Sequence, residues 1–258
     1  MFPDLFTIGP MTLHTYGLFV ALGFTAGLAV TLRLGRVYSL TTQQLMDMAF
    51  VSIVWGIVGA RLLFVLINLP HYRTHPMDVL KIWQGGLVFS GGLLAVAVSM
   101  LWYGRRHHLS FWMLGDLCAP GVSVGQALGR IGCFMAGCCY GKPTDHPFSV
   151  VFTHPDSLAP LNIPLHPTQI YDALIGLLIF AVLLILHGRK KYQGQVVLWF
   201  LILHSTGRLL VEKFRADHRG WIPGTDMSVT QLAAMLILLG SVLALFLVKS
   251  RERGEKGT

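Results

Sequence analysis

Charged residues are scarce in this chain. Asp, Glu, Lys and Arg make up only 12% of its 258 residues, whereas soluble domains carry about 25%. Hydrophobic residues make up 53% of the chain, and its mean hydropathy is +0.61. This composition excludes an ordinary soluble globular protein, and it predicts a membrane protein.

Long apolar runs recur along the whole chain, with little room between them for a soluble domain. A helix of about 20 apolar residues spans the hydrocarbon core of a bilayer. We therefore predict an all-α polytopic membrane protein, a single integral-membrane domain over 1–258 with small outer loops and a cap. The first span follows Asp4 without a preceding Lys or Arg and without a small-residue cleavage site, so we interpret it as a retained helix. About seven spans are predicted, near 12–33, 44–69, 86–104, 111–139, 168–188, 195–213 and 228–248.

The basic residues lie in short clusters between the spans, which is typical of membrane topology and not of a nucleic-acid-binding surface. Of the 20 Lys and Arg residues, eleven fall on one side, six on the other and three within spans. The positive-inside rule then predicts an N-terminus outside and a C-terminus in the cytoplasm. We interpret Arg215 and Arg219 of the last outer loop as ordinary flanking charges, with attraction of anionic lipid headgroups as the alternative, and Trp221 as an interfacial residue.

Three arginines fall inside predicted spans: Arg61, Arg130 and Arg208. An arginine at the centre of a membrane helix costs about 2.5–3.5 kcal/mol, so it usually faces a cavity or a polar partner. The sequence therefore predicts a polar chamber. The alternative is that each arginine pairs with a buried acid or carbonyl and only braces helices. The acids available for this are Asp47, Asp116, Asp172 and Glu212.

The stretch GRIGCFMAGCCYG at 129–141 places Arg130 among small and apolar residues. Glycines at three- and four-residue spacing let neighbouring helix backbones approach closely, so this helix is expected to pack tightly. Arg130 and Cys133 share one of its faces. A guanidinium held in place presents a fork of donors that matches phosphate oxygens. We therefore interpret Arg130 as a partner for the phosphate of a lipid headgroup.

The four cysteines, Cys118, Cys133, Cys138 and Cys139, raise the hypothesis of a metal site. No paired CxxC occurs, adjacent cysteines rarely ligate one tetrahedral ion together, and Cys118 lies about four helical turns from Cys133. We therefore predict no metal. A disulfide involving Cys138 or Cys139 and a redox-active thiol remain alternatives, and packing is the default role of small apolar side chains.

Six motifs, in order, resemble the prolipoprotein diacylglyceryl transferase family. They are IGPMTLHTYGLFVALGF, VGARLLFVL, WQGGLVFSGGLLAV, GRIGCFMAGCCYG, LHPTQIYDAL and GRLLVEKFR. The resemblance implies a seven-helix enzyme of the bacterial inner membrane that works without a cofactor. It also implies a reaction, in which diacylglyceryl moves from phosphatidylglycerol to the lipobox cysteine thiol of an exported prolipoprotein and glycerol phosphate is released. The implied partners are these two substrates and membrane lipids, and we expect a monomer.

The resemblance implies roles for individual residues. Arg130 is similar to the arginine of the family signature, and Arg208 to the second essential arginine near the C-terminus. Glu212, one turn beyond Arg208, is spaced to pair with it. The other positions that the resemblance assigns to the substrate site are Tyr16, Arg61, Gly91, Gly92, Gly141, His166, Gln169 and Tyr171.

The chain also departs from the family pattern. Ser90 stands where typical members have a histidine that is often proposed as the base, and His204 stands where a tyrosine is typical. A serine does not readily replace a histidine base, so the candidate catalytic bases are His204 and His14, beside the catalytic arginines. The alternative is that the arginines alone lower the pKa of the substrate thiol. The signature has polar residues at the positions of Cys133, Ala136 and Cys138.

These departures leave two other functions open. One is a paralogue that keeps the lipid pocket, with Ser90 and Cys133 in its substrate site, and acts on another acceptor or remodels lipids. The other is a transporter or lipid-binding protein whose arginines hold an anion without chemistry. No inverted repeat in the sequence favours transport.

Overall fold

The structure is a computed structural model that describes residues 2–8, 11–82, 85–216, 220, 224, 225 and 227–255. Arg219 and Trp221 lie outside the described residues. The described chain is dominated by helices, and it also contains two short strand pairs. The helices are α1 (Thr15–Gly35), α2 (Thr42–Ile67), α3 (Leu69–Thr74), α4 (Phe89–Arg106), α5 (Phe111–Ala136), α6 (Thr168–Arg189), α7 (Gln195–Glu212) and α8 (Val229–Glu255).

Four stretches of the described chain are long and apolar enough to cross a membrane, which confirms the prediction of a helical membrane protein. They are Thr15–Tyr38, Thr42–Ile67, Thr168–Arg189 and Val229–Val248. The other three long helices, α4, α5 and α7, carry 18, 26 and 18 residues. Polar and charged side chains dilute their apolar character, and two of these helices, α5 and α7, carry Arg130 and Arg208.

The chain forms two compact units. The first combines Met1–Thr31 with Gly115–Thr258, and the second is Leu32–Leu114. In the second unit α2 packs against α4. A Cβ added to Gly91 would lie 2.5 Å from the carbonyl oxygen of Gly59, and one added to Gly92 would lie 2.8 Å from that of Gly56. The paired glycines of α4 therefore allow close helix packing.

In the first unit, glycines also bring α1 and α5 together. A Cβ on Gly121 would lie 2.6 Å from the oxygen of Gly27, and one on Gly125 would lie 3.1 Å from that of Gly23. This confirms the tight packing predicted for the glycine-spaced helix. Because no larger side chain fits at these positions, α5 is held at a fixed distance from α1.

Asp116 connects α5 to the start of α7. Its fully buried carboxylate accepts hydrogen bonds from the backbone N–H groups of Gly194, Val196 and Val197 at 2.9, 2.9 and 3.0 Å. The first turn of a helix has N–H groups without intrahelical partners, and a carboxylate satisfies them. Asp116 is therefore a helix cap and does not pair with a membrane arginine as the bracing hypothesis allowed.

The segment between α5 and α6 forms the small cap that the sequence predicts. Strand β3 (Val150–Val151) pairs antiparallel with strand β4 (Pro164–Leu165) over a core of Phe152, Ala159 and Leu165. A second hairpin, of strands Asp4–Ile8 and Met11–His14, precedes α1.

Candidate active site

Five charged side chains from α5, α6 and the end of α7 meet in the first unit. Arg130 Nε lies 3.3 Å from Asp172 Oδ2, and Arg215 Nη1 lies 3.6 Å from the same oxygen. Arg208 Nη2 lies 2.5 Å from Glu212 Oε2, which is 4.0 Å from Arg215 Nε. We call these five residues the arginine cluster.

The arginine cluster contains three cations and two carboxylates, so it carries one positive charge in excess. Its side chains are largely withdrawn from solvent: those of Arg208 and Arg215 are 9% and 2% exposed. Arg208 Nη1 is buried and has no hydrogen-bond partner among the described residues. A buried donor without a partner is costly, and an anion bound at this position would satisfy both the donor and the excess charge.

Backbone pairing holds Arg215 in the cluster. Gly141 forms a β-bridge with Arg215, and the N–H of Lys142 donates to the oxygen of Phe214 at 2.7 Å. A Cβ on Gly141 would lie 2.5 Å from the oxygen of His166 and 2.8 Å from that of Phe214. Only glycine fits between these two segments. The interpretation of Arg215 as a flanking surface charge is therefore wrong, because its side chain is buried beside Asp172.

The N-terminus of α6 fixes the chain that follows α5. The buried Gln169 donates from Nε2 to the oxygen of Cys138 at 2.8 Å, and Thr168 Oγ1 donates to the oxygen of Cys139 at 2.8 Å. Gln169 Oε1 is buried without a hydrogen-bond partner in the described part of the chain. The predicted site residue Gln169 is thus a clamp on the signature segment that keeps one acceptor open.

His166 and Tyr171 form an aromatic group with Phe214. The ring centroids of His166 and Phe214 are 5.1 Å apart, those of Tyr171 and Phe214 are 6.1 Å apart, and His166 Nδ1 lies 3.3 Å from the Tyr171 hydroxyl. This group packs beside the Gly141 bridge, so the two predicted residues support the segment after α7 that carries Arg215.

Tyr16 and His204 also lie near the arginine cluster. Tyr16 packs against Gly132 on α5, and it is close enough to Arg130 to interact with its charge. His204 stacks on Phe200 with ring centroids 5.5 Å apart, and its imidazole is within electrostatic reach of Arg130 and Arg208. The structure therefore brings His204 close to two arginines of the cluster.

Comparison with known proteins identifies the family. The family model of the prolipoprotein diacylglyceryl transferases matches residues 3–247. The chain belongs to this family. It is 32% identical to the phosphatidylglycerol–prolipoprotein diacylglyceryl transferase of Clostridium tetani, over 98% of this chain and 100% of the relative. It is 34% identical to the proteins of that name from Bordetella bronchiseptica, with 97% of both chains covered, and Geobacter sulfurreducens, with 98% and 97% covered.

Arg61, a family position in the second unit, is bound by the backbone around it. Arg61 is 7% exposed. Its guanidinium donates to five carbonyl oxygens at 2.5–3.3 Å, and all three of its nitrogens take part. The acceptors belong to Asp78, Val79, Lys81, Gly85 and Gly86. These contacts favour the bracing role that the sequence left open, because they order the connection between α2 and α4.

Two further family positions, Ser90 and His14, lie elsewhere in the chain. Ser90 is exposed in the first turn of α4, in the second unit, next to the packed glycines. His14 ends the second strand of the N-terminal hairpin, one residue before α1 begins, so its assignment to the first membrane span is wrong. Its Nδ1 lies 2.5 Å from Asp4 Oδ1, and its side chain is 67% exposed.

The signature cysteines lie directly beside the arginine cluster. None of the four cysteines, all within the described residues, forms a disulfide. The Sγ atoms of Cys133, Cys138 and Cys139 lie within 4.8 Å of one another, and the Arg215 guanidinium hydrogen-bonds the side chain of Cys139. Sequence spacing did not indicate that these three thiols converge.

Proposed function

We propose that this chain transfers diacylglyceryl from phosphatidylglycerol to the lipobox cysteine thiol of an exported prolipoprotein. Family membership supports the reaction class, and the names of the relatives supply the two substrates. The observation that carries the proposal for the site is the arginine cluster, with its excess positive charge and the unpartnered Nη1 of Arg208. A phosphodiester headgroup supplies the missing anion.

The cluster acts on the leaving group. The thiolate of the acceptor attacks the diacylglyceryl carbon, a C–S bond forms, the C–O bond to phosphate breaks, and glycerol phosphate leaves with the electron pair. Negative charge therefore grows on the phosphate in the transition state. Arg130 and Arg208, held by Asp172 and Glu212, stabilise that charge without having to reorganise. The reaction balances without a cofactor.

His204 is the base that we propose for the acceptor thiol. A thiol attacks as its thiolate, so its proton must be removed. The imidazole lies beside Arg130 and Arg208, where it would meet a thiol brought to the headgroup. His14 is the second candidate, and its ion pair with Asp4 in the exposed hairpin makes it the weaker one.

The remaining site residues bind or position the substrates. The open acceptor Gln169 Oε1 receives a hydroxyl hydrogen from the glycerol headgroup, and Tyr16 and Cys133 line the approach to Arg130. Gly141, His166, Tyr171 and Glu212 position the arginines. Gly91 lines the apolar groove of the second unit, a cavity of about 540 Å³ between α2 and α4, which suits an acyl chain. Gly92 packs against Gly56 and keeps the two helices close. Arg61 and Ser90 are the sequence neighbours of Leu62 and Gly91, which line this groove.

We propose that α4, α5 and α7 cross the membrane together with the four more apolar spans. All seven are at least 18 residues long, which is sufficient to span a bilayer. The bias of Lys and Arg places the N-terminus outside and the C-terminus in the cytoplasm of the bacterial inner membrane. Both units belong to one enzyme, since the family model covers them together, and we propose that it works as a monomer. Reporter fusions at the loop before α5 and at the C-terminus test this topology.

A second candidate is a paralogue with another acceptor. It is favoured by Ser90, which stands where typical members of the family carry a histidine. It is also favoured by Cys133 and Cys138, which stand where the family signature has polar residues. In this case the diacylglyceryl group still comes from phosphatidylglycerol and moves to the other acceptor. The protein would then release glycerol phosphate from phosphatidylglycerol without modifying a lipobox peptide.

Product analysis tests the two candidates. Purified protein is incubated with phosphatidylglycerol and a lipobox peptide, and both peptide and free lipids are examined by mass spectrometry. A diacylglyceryl mass on the peptide cysteine supports the transferase. Altered free lipids with an unmodified peptide support the paralogue, and unaltered lipids with bound phosphatidylglycerol support the non-catalytic binder.

A further inference from the structure

Three cysteine thiols form a compact group beside the arginine cluster. The Sγ atoms of Cys133, Cys138 and Cys139 all lie within 4.8 Å of one another. Cys138 and Cys139 are partly buried, and Cys133 is the most deeply buried of the three. No disulfide joins these described cysteines, and the transfer reaction uses none of their sulfur atoms. The proposed function therefore gives Cys133 only a place on the approach to Arg130, and it gives the three sulfur atoms no chemical step.

Local backbone geometry makes the three thiols converge. Gly137 and Cys139 adopt left-handed conformations, with φ of 75° and 62°, which turn the chain back on the last turn of α5. A non-glycine residue at such a φ is uncommon and is held by its surroundings. Here the hydrogen bonds of Thr168 and Gln169 to the carbonyls of Cys139 and Cys138 hold it. The positions of the three cysteines are thus fixed by hydrogen bonds from residues of α6.

We propose that Cys133, Cys138 and Cys139 form a three-coordinate thiolate site for a soft metal ion, with Cu(I) as the ion that fits. Thiolates select Cu(I) over harder cations. Three sulfurs at about 2.3 Å from one ion are about 4.0 Å apart, so the thiols need to close by less than 1 Å from a separation of 4.8 Å. The objection that adjacent cysteines do not chelate a tetrahedral ion does not apply to a trigonal one.

The number of ligands favours Cu(I) over Zn(II). Structural zinc sites are closed by four protein ligands. Among the residues that the structure describes, no fourth His, Cys, Asp or Glu joins the group of three. A zinc ion here would need water as its fourth ligand, whereas Cu(I) is satisfied by three thiolates.

The charges around the site suit an anionic complex. Binding breaks three S–H bonds, forms three S–Cu bonds and releases three protons to solvent, and the copper stays Cu(I) throughout. The product, three thiolates with one monovalent cation, carries a charge of −2. Arg215 hydrogen-bonds Cys139 and Arg130 is within electrostatic reach of Cys133, so cations already face this charge.

Competition with a chromophoric Cu(I) chelator tests the proposal. The full chain is purified in detergent under reducing, oxygen-free conditions and titrated with Cu(I). We expect one equivalent to bind to the natural chain and to the control Cys118→Ser, whose cysteine lies outside the group. Cys133→Ser, Cys138→Ser and Cys139→Ser should each weaken binding at least tenfold, and X-ray absorption of the natural complex should show three sulfur neighbours.

Two results would overturn the site. One is equal Cu(I) retention by Cys133→Ser and the natural chain, and the other is a shell of two sulfurs, or of sulfur with nitrogen, in the X-ray absorption spectrum. The spectrum is recorded on the natural protein, so it decides the matter even if a variant fails to fold. A Zn(II) complex bound more tightly than Cu(I) would contradict the trigonal geometry. None of these readouts depends on transferase activity.

Discussion

Arg130 and Asp172 face each other between α5 and α6, with Nε of the arginine 3.3 Å from Oδ2 of the carboxylate. The same oxygen lies 3.6 Å from Nη1 of Arg215. One carboxylate oxygen therefore orients two guanidinium groups from distant parts of the chain. Two cations held together in this way prefer the proximity of a further anion, which is the electrostatic basis of the proposed phosphate site.

Arg130→Ala should abolish most of the transfer activity while the protein still folds. A preorganised donor to the developing charge is worth about 10²–10³-fold in kcat. Arg130→Lys keeps the charge but not the fork of donors, so we expect an intermediate loss. The rate of peptide modification in lipid nanodiscs measures both. The control is Arg189→Ala, an exposed arginine at the end of α6, and equal rates for Arg130→Ala and Arg189→Ala would refute the role of Arg130.

Asp172→Asn should lower both KM for phosphatidylglycerol and kcat, for two different reasons. The substitution removes a negative charge from the arginine cluster, so the anionic lipid binds more tightly and KM for phosphatidylglycerol falls. The two arginines lose their shared partner, so kcat falls, by about tenfold or about 1.4 kcal/mol. Steady-state kinetics separate the two constants. Asp145→Asn, at an exposed position of the cap, is the matched control, and a purely structural role would lower the folded yield without this split.

Some of the arginine cluster was predictable from the sequence. The free-energy cost of placing an arginine in a membrane helix predicted that Arg130 and Arg208 belong to a polar site. The spacing of Glu212 predicted its pair with Arg208, which the structure has at 2.5 Å. Arg215 was not predictable, because only the bridge to Gly141 brings it inward. The convergence of the cysteines depends on two left-handed residues, at Gly137 and Cys139, which spacing along the chain does not reveal.

Arg61 shows a second limit of sequence reasoning. Charge in a membrane span indicates a polar partner, but it does not distinguish a substrate from backbone carbonyls. Here the partners are five carbonyls of one connecting segment, and the sequence does not indicate that its backbone turns toward Arg61. The number of spans meets a related limit, because α5 and α7, which carry Arg130 and Arg208, are not among the four helices that are long and apolar enough to cross a membrane by composition.

Gly141→Ala should destabilise the protein. The new Cβ would lie 2.5 Å from the oxygen of His166 and 2.8 Å from that of Phe214. Both atoms belong to the backbone, so the bridge to Arg215 must open, at a cost of about 1–3 kcal/mol. The matched control is Gly129→Ala on α5, where nothing lies within 4 Å of the new Cβ and alanine favours the helix by up to about 1 kcal/mol.

Thermal unfolding in detergent gives the Tm of Gly141→Ala and of its control, Gly129→Ala. We expect a lower Tm for Gly141→Ala and an unchanged or higher Tm for Gly129→Ala. Equal unfolding temperatures for the two variants would mean that the close approach at Gly141 does not constrain the fold.

Arg61→Ala should act mainly on stability. Hydrogen bonds to a charged group contribute about 1.5–3 kcal/mol each, so the loss of the guanidinium should cost at least about 3 kcal/mol. The folded fraction should keep more transfer activity than Arg130→Ala. Tm and the specific activity of the folded fraction are compared with those of Arg73→Ala, an exposed position in the same unit. A stable Arg61→Ala protein with no activity would assign Arg61 to the substrate instead.

His204→Gln should alter the pH dependence of transfer. If His204 takes the thiol proton, the rate of the natural enzyme falls at low pH as the imidazole becomes protonated, and this limb of the profile disappears in the variant. His14→Gln should leave the profile unchanged. Normal rates and an unchanged profile in both variants would remove the histidine base and leave thiol activation to the arginines.

The most direct test of the account is to count both products of one reaction. Purified protein is incubated with phosphatidylglycerol and a lipobox peptide, and the thioether-linked diacylglyceryl peptide and free glycerol phosphate are quantified together, with Arg130→Ala in parallel. The account predicts equal amounts of the two products, and both should be lost in the variant. Glycerol phosphate without modified peptide, or peptide modification that persists in Arg130→Ala, would contradict it.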